Sequence, residues 1–211
     1  MKKVLFILAI AIAVTGTVNA QDVKIGAKVG FNLASITGDG DVYGEDSDTK
    51  IGFNQGLFAE ISLSDKFIFQ PELLFSTQGN VYKQGSFDDL IKITIELDYL
   101  NIPLLIKYAV SDKFALEFGP QLGFLLSANT DVEGILFDNE TISVRQDVKD
   151  SFKSIDLGLN FGISIDVSEK VMIGARYNLG LSNISDEEDI GIEEDINVKN
   201  SLFSMFVGYR F

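Results

Sequence analysis

The chain has 211 residues and carries 31 acidic against 17 basic side chains, a formal net charge of −14, yet its mean hydropathy is positive at +0.19. With no cysteine and no histidine, it excludes disulfide frameworks, thiolate or histidine metal sites and Ser-His hydrolase arrangements. Its acidic balance lacks the basic footprint of a nucleic-acid binder.

Residues 1–20, MKKVLFILAIAIAVTGTVNA, join Lys2 and Lys3 to an unbroken apolar run over 4–14 and to small residues at Val18 and Ala20. That is the pattern of a secretory signal peptide cut before Gln21. The run is too short to cross a bilayer as a helix, which takes ~20 apolar residues. No cysteine follows the cut, so no lipoprotein anchor is expected. One barrel domain is expected over 21–211.

From residue 23 the dominant period is two. Over 23–33, Val23, Ile25, Ala27, Val29, Phe31 and Leu33 alternate with Lys24, Gly26, Lys28, Gly30 and Asn32. The same rhythm predicts strands over 51–63 and 67–77. A fourth, near 93–106, changes phase. Ile93, Ile95 and Leu97 are apolar in one register and Leu100, Ile102, Leu104 and Ile106 in the other. A bulge near Asp98 and Tyr99 would reconcile them. Further strands are predicted over 114–127, 154–167, 171–182 and 201–211. The segment 154–167, SIDLGLNFGISIDV, alternates without a miss. Its length exceeds the ~5–6 residues of an ordinary strand and suits one crossing a bilayer at a tilt. Pro71, Pro103 and Pro120 would each cost a ladder bond in mid-strand.

The links between these eight strands alternate in length. LSDKF at 63–67, VSDKF at 110–114 and VSEKV at 167–171 form three short turns. Serine and aspartate bond nearby backbone and favour tight reversals. The links 34–50, 78–92, 128–151 and 183–199 are long. Short turns at one end and long loops at the other are the mark of an outer-membrane barrel, with short periplasmic turns and longer extracellular loops. The fold expected is therefore an all-β, eight-stranded, antiparallel, up-and-down transmembrane barrel. A soluble barrel would place its apolar face inward, but its cavity would then exclude the charges that fill the other face here. Phe67, Phe114, Tyr177, Tyr209 and Phe211 fall near strand ends, where interfacial aromatics belong.

By phase, the inward set contains Lys24, Lys28, Lys107, Arg176 and Arg210 with Glu60, Glu72, Glu117, Asp156 and Asp166. Buried charges are costly unless paired. The expectation is a structural network of lumen charges centred on Glu60, Glu72, Lys107, Glu117, Arg176 and Arg210. A conduction path is the alternative. The acidic stretches GDGDVYGEDSD at 38–48 and SDEEDIGIEED at 185–195 lack EF-hand spacing and read as solvated surface loops. A carboxylate pair such as Glu72 and Glu117 could do acid–base work, but nothing in the sequence points to a substrate cleft. No catalytic residue, metal or cofactor is expected.

FQPELLFSTQG at 69–79, YLNIPLLIKYAVSDKFALEFGPQLGFLL at 99–126, GARYNLGLSNI at 174–184 and the FVGYRF terminus together resemble the PorT-like family of outer-membrane β-barrel proteins. The resemblance covers the whole chain after residue 20. It implies the same barrel and a connection with secretion-system or other envelope proteins, and it brings no catalytic residue. The expected partners are outer-membrane lipid and such proteins. The expected role is structural, interacting or secretion-accessory, with a small channel or a surface ligand-binding or adhesion barrel as alternatives. The number of copies in an assembly is not legible.

Overall fold

The computed structural model describes residues 23–38, 47–84, 91–135, 141–186 and 197–211. The segment 1–20, where a signal peptide is expected, lies outside them, as do 39–46 and 187–196, which hold most of both acidic stretches.

Among the described residues nine strands follow in order: β1 (Val23–Gly38), β2 (Ser47–Ser62), β3 (Phe67–Gln84), β4 (Ile91–Ala109), β5 (Phe114–Ile135), β6 (Thr141–Asp147), β7 (Ile155–Asp166), β8 (Val171–Gly180) and β9 (Val198–Arg210). Eight of them close a ring, β1-β2-β3-β4-β5-β7-β8-β9 and back to β1, antiparallel throughout. Closure leaves the ring no free edge, as hydrocarbon requires. The ninth strand, β6, falls within the stretch 128–151 expected to be a loop. It pairs only with the far end of β5, from Asn129 opposite Asp147 to Ile135 opposite Thr141.

The three repeated phrases fold into one turn made three times. The N–H groups of Leu63, Val110 and Val167 donate to the carbonyls of Phe67, Phe114 and Val171 at 2.8, 2.9 and 2.9 Å. The hydroxyls of Ser64, Ser111 and Ser168 accept the N–H of those same three residues at 3.2, 3.2 and 3.1 Å. The carbonyls of Lys66, Lys113 and Lys170 then take the N–H of Ala109, Asp166 and Arg210 from the following strand. The repetition is therefore chemical: serine supplies the acceptor that closes each reversal.

The wall has two chemistries that change with height. In the belt, Ile25, Val29, Phe31 and Leu33 of β1 point outward and are exposed, as are Phe161, Ile163 and Ile165 of β7 and Met205, Val207 and Tyr209 of β9. Toward the long-loop end the belt stops at a polar collar. Ser35 and Thr49 lie within 3.4 Å of each other there, and Asp98 accepts bonds from Thr77 (2.8 Å) and Ser127 (2.9 Å). Beyond the collar the polarity inverts. Lys92, Thr94 and Glu96 alternate with Ile95, Leu97 and Tyr99, and the apolar set is now the buried one.

The bulge expected near Asp98 and Tyr99 is present, but this inversion, and not the bulge, accounts for the change of phase along β4. Odd-numbered residues of β4 point inward along its length, from Ile95 to Lys107. Its apolar residues change face because the strand passes from lipid to water. The register does slip at this height, between Asp98 and Tyr99, but the extra residue is Leu126 on β5, since Asp98 faces Ser127 and Tyr99 faces Leu125.

The prolines gather in one patch of the wall. Between β3 and β4, pairing runs from Pro71 opposite Leu104 directly to Leu74 opposite Asn101. Between β4 and β5 it runs from Pro103 opposite Gln121 to Ile106 opposite Phe118. Register is kept on both sides of each gap, so the ladder loses rungs without slipping. Proline brings no N–H to a ladder, and three neighbouring strands share the loss.

Candidate functional site

Among the described residues, inward side chains occupy the lumen in tiers. At the short-turn end a recess of about 360 Å³ opens to solvent, with Asp65, Lys66, Lys113 and Asp166 at its rim and Lys107 and Arg210 among its lining residues. From there an ion-pair chain climbs the interior. Arg210 donates to Asp166 (2.7 Å) and to both oxygens of Glu60 (2.6 and 3.1 Å). Lys107 donates to Glu60 (2.8 Å) and stands 3.8 Å from Glu117. Arg176 donates to Glu117 (2.6 Å) and grips Glu72 with two bonds (2.8 and 3.0 Å). Lys28 ends the chain with 2.9 Å bonds to both oxygens of Glu72.

Each side chain arrives from a different stave: Lys28 from β1, Glu60 from β2, Glu72 from β3, Lys107 from β4, Glu117 from β5, Arg176 from β8 and Arg210 from β9. Strand alternation turns each inward, and the belt outside forces its neighbours outward. Except for Asp166, every member is buried.

The structure thus brings the six residues singled out in the sequence into one network, with Lys28 and Asp166 added. Two others of the inward set stand apart. Lys24, one residue into β1, is exposed at the open rim. Asp156 is buried but meets no cation among the described residues. It accepts from Ser182 (2.9 Å) and Asn200 (2.8 Å), while Asn200 also donates to the Tyr99 hydroxyl (3.3 Å).

Three parts of the interior were not foreseen. The first is an aromatic floor. Phe58, Met172 and Phe206 point inward and cluster together, and Lys28 sits 3.9 Å from the Phe206 ring centre. Gly26, Gly174 and Gly208 make room for them, since a Cβ at each would run into Phe58, Phe206 and Met172 respectively. The inward phase of Phe58 and Phe206 was readable, but their apolar character argued for the other face.

The second is an amide tier above the ions. Asn54 donates to Asn32 (2.6 Å), which donates to Ser76 (3.0 Å). Opposite them Asn178 donates to Asn160 (3.1 Å), which donates to Gln121 (3.3 Å). The third is an apolar plug at the long-loop end, made of Tyr82, Ile95, Leu97, Tyr99, Leu125, Ala128 and Ile184.

The arrangement offers little to catalysis. Glu72 and Glu117 do come together, but the guanidinium of Arg176 donates to both, and a carboxylate paired with a fixed cation is a poor proton acceptor. Among the described residues no group of carboxylates is placed to hold a metal ion.

The family described as outer membrane protein beta-barrel domain matches residues 19–186. No curated protein matches the sequence. Among solved structures, Ail, the attachment invasion locus protein of Yersinia pestis, is 14% identical, with 89% of this chain and 98% of that one covered and a TM-score of 0.45. Neisserial surface protein A is 15% identical, covering 90% and 97%, with a TM-score of 0.41. The outer membrane protease OmpT of Escherichia coli is 11% identical, covering 90% and 95%, with a TM-score of 0.38. At such distances they bear on neither ligand nor mechanism.

Proposed function

For a chain that belongs to the outer membrane protein beta-barrel domain family and resides in the outer membrane, we propose a non-conducting, non-catalytic barrel that serves as a membrane scaffold for other envelope proteins. It would be exported on residues 1–20 and would turn its long, acidic loops outward. The phrases at 69–79, 99–126 and 174–184 support a PorT-like barrel within the family, and with it a secretion-accessory role.

The observation that carries this reading is the filled lumen. Eight strands leave an interior just wide enough for side chains, and here ion pairs, amides and an apolar plug occupy successive heights. The recess at the short-turn end reaches no further than Lys107 and Arg210. The network's role on this reading is bracing. Glu72 and Glu117 stand on the proline-interrupted staves β3 and β5, and Lys28 and Arg176 hold them from the uninterrupted staves β1 and β8.

Reconstitution in planar bilayers tests the reading. The purified barrel should show no single-channel steps, and affinity capture from detergent-extracted outer membranes should recover envelope proteins in fixed proportion. Steps whose size changes when Arg176 or Glu72 is neutralised would establish a channel instead.

A further inference from the structure

One stretch of the apolar belt is dented. On β8 the outward residue Ala175 faces Ile163 of β7 on one side and Met205 of β9 on the other, and Met205 faces Phe31 of β1. The rows above and below are bulky throughout. Tyr177 stands between Phe161 and Phe203, and Ile173 between Ile165 and Val207. The small methyl of Ala175 therefore opens a depression of about 610 Å³ in the outer wall, which reaches down to Gly30 and Gly174. From inside, those two glycines flank Phe206 in the ladder, and the Phe206 ring folds over Gly174. At residues 174 and 175 neither face of the wall carries more than a methyl group.

Below the dent, at the short-turn edge of the belt, stands a cation. Lys170 holds its ammonium 5.8 Å from the centre of the Tyr209 ring, and Tyr209 points outward and is exposed. Lys170 makes no salt bridge among the described residues. Tyr209 and Met205 are four residues apart on β9, about 14 Å along the strand. At a tilt of ~40° that is about 10 Å of depth, inside the ~15 Å half-thickness of the hydrocarbon core. A cation at the level of the lipid headgroups thus stands within one acyl chain's reach of the dent. Lys24, Asp112, Lys113 and Glu169 share a rim recess with Lys170, so charges of both signs meet there and neither sign of net headgroup charge is favoured.

We propose that this groove holds one glycerophospholipid of the leaflet on the short-turn side, with an acyl chain in the dent at Ala175 and its phosphate on Lys170. The chain resides in the outer membrane, so at this depth the wall meets either acyl chains or the span of another protein. Width decides between them. β7 and β9 flank β8 and lie about 9–10 Å apart, and Ile163 and Met205 narrow that gap. A helix ~10–12 Å across does not enter it, and a single acyl chain does. A second copy of the barrel fits no better. Upright copies meeting here about a two-fold axis would set dent against dent and leave a void between them. Lipid tails are as apolar as the belt, so the preference comes from close contact with rigid walls and from the phosphate at Lys170.

This site goes beyond the scaffold reading and holds whether or not the barrel conducts. Native mass spectrometry tests it on the whole barrel, released into mild detergent from nanodiscs of palmitoyl-oleoyl phosphatidylethanolamine. One phospholipid per barrel should stay bound. Ala175→Phe fills the dent from outside and should lower retention about ten-fold, since about ten atom contacts with the chain are lost, while the unfolding midpoint stays in place. Lys170→Gln should lower retention about three-fold, the scale of one exposed charge pair. Diacylglycerol with the same chains lacks the phosphate and should be retained about as poorly. Leu73→Phe, exposed on β3 in the far wall, should retain phospholipid as the unaltered barrel does. A barrel that retains none overturns the proposal. So does equal loss in Ala175→Phe and Leu73→Phe, or loss in neither, which would mark an ordinary lipid annulus. Full retention of diacylglycerol, or by Lys170→Gln, also overturns it, because a chain would then be held without its phosphate. A dimer that Ala175→Phe dissociates would give the dent to a second copy instead.

Discussion

Arg176 on β8 and Glu72 on β3 are 104 positions apart in sequence and meet across the lumen through two hydrogen bonds of 2.8 and 3.0 Å. Lys28 shares the same carboxylate from a third strand. Removing the anion strands Lys28 and leaves Arg176 with Glu117 alone. Glu72→Gln should therefore cost about 3–5 kcal/mol, the range for breaking a buried pair. Replacing Glu72, Glu117, Lys28 and Arg176 together by Leu, Leu, Met and Met should cost less than that single change, because all four mutually paired charges leave together while Lys107 keeps Glu60. Urea unfolding in detergent micelles reads both. A quadruple variant weaker than Glu72→Gln would contradict this account of the network.

The proline patch should be the loosest part of the wall. Amides near Leu73, Ile102, Leu104 and Gly119 border the missing rungs and should exchange faster than those near Ile163, Ala175 and Met205, where pairing is continuous. Glu72→Gln should speed exchange in the first group and leave the second near its original rate. Hydrogen exchange with mass spectrometry decides, and a uniform change around the ring would show that the network braces no particular staves.

Two glycines should be intolerant for different reasons. Gly79 has φ +129°, a conformation that L residues rarely adopt, and a Cβ there would strike the Ile95 carbonyl. Gly79→Ala should cost about 1–3 kcal/mol through backbone strain. Gly174 lies in ordinary strand geometry, but Phe206 covers it. Gly174→Val should cost about 1–3 kcal/mol through overpacking, and Phe206→Leu should recover part of that. Unfolding midpoints of the two single variants and the Gly174→Val, Phe206→Leu pair separate strain from crowding.

The collar should mark where charge becomes tolerable on the outer face. Val207 lies in the belt and is 49% exposed. Val207→Arg should cost about 2–4 kcal/mol, as cations do at mid-bilayer. Thr94→Arg, outward but beyond the collar, should change folding into lipid vesicles by less than about 0.5 kcal/mol. Similar costs at both positions would mean that the belt is drawn at the wrong height.

Much of the ring was legible because a transmembrane strand wears its environment on alternate residues. β7 displays it without interruption, and the three serine turns were visible as repeated words. β4 misled for a physical reason. The rule that apolar means outward holds only inside the bilayer, and Ile95, Leu97 and Tyr99 sit where water lies outside and the interior must supply the oil. The same rule hid Phe58 and Phe206, inward-facing aromatics accommodated by glycines on other strands. β6 escaped notice because TISVRQD is short and its pairing depends on how far β5 extends past the ring. The charges declared themselves by phase alone, but which cation would meet which carboxylate depended on the ring's curvature, which brings β3 and β8 face to face.

The switch of greasy residues from one side of β4 to the other gives the barrel a depth gauge. Were the molecule to sink by a pair of residues, Asp98 would enter the oil together with Thr77 and Ser127, the two hydroxyls bonded to it. Were it to float upward by as much, Leu33, Leu126 and Phe203 would surface into water. Vertical position in the leaflet is thereby written into the polypeptide and needs no external clamp, so whatever is carried at the long-loop end is held at one constant elevation above the lipid headgroups.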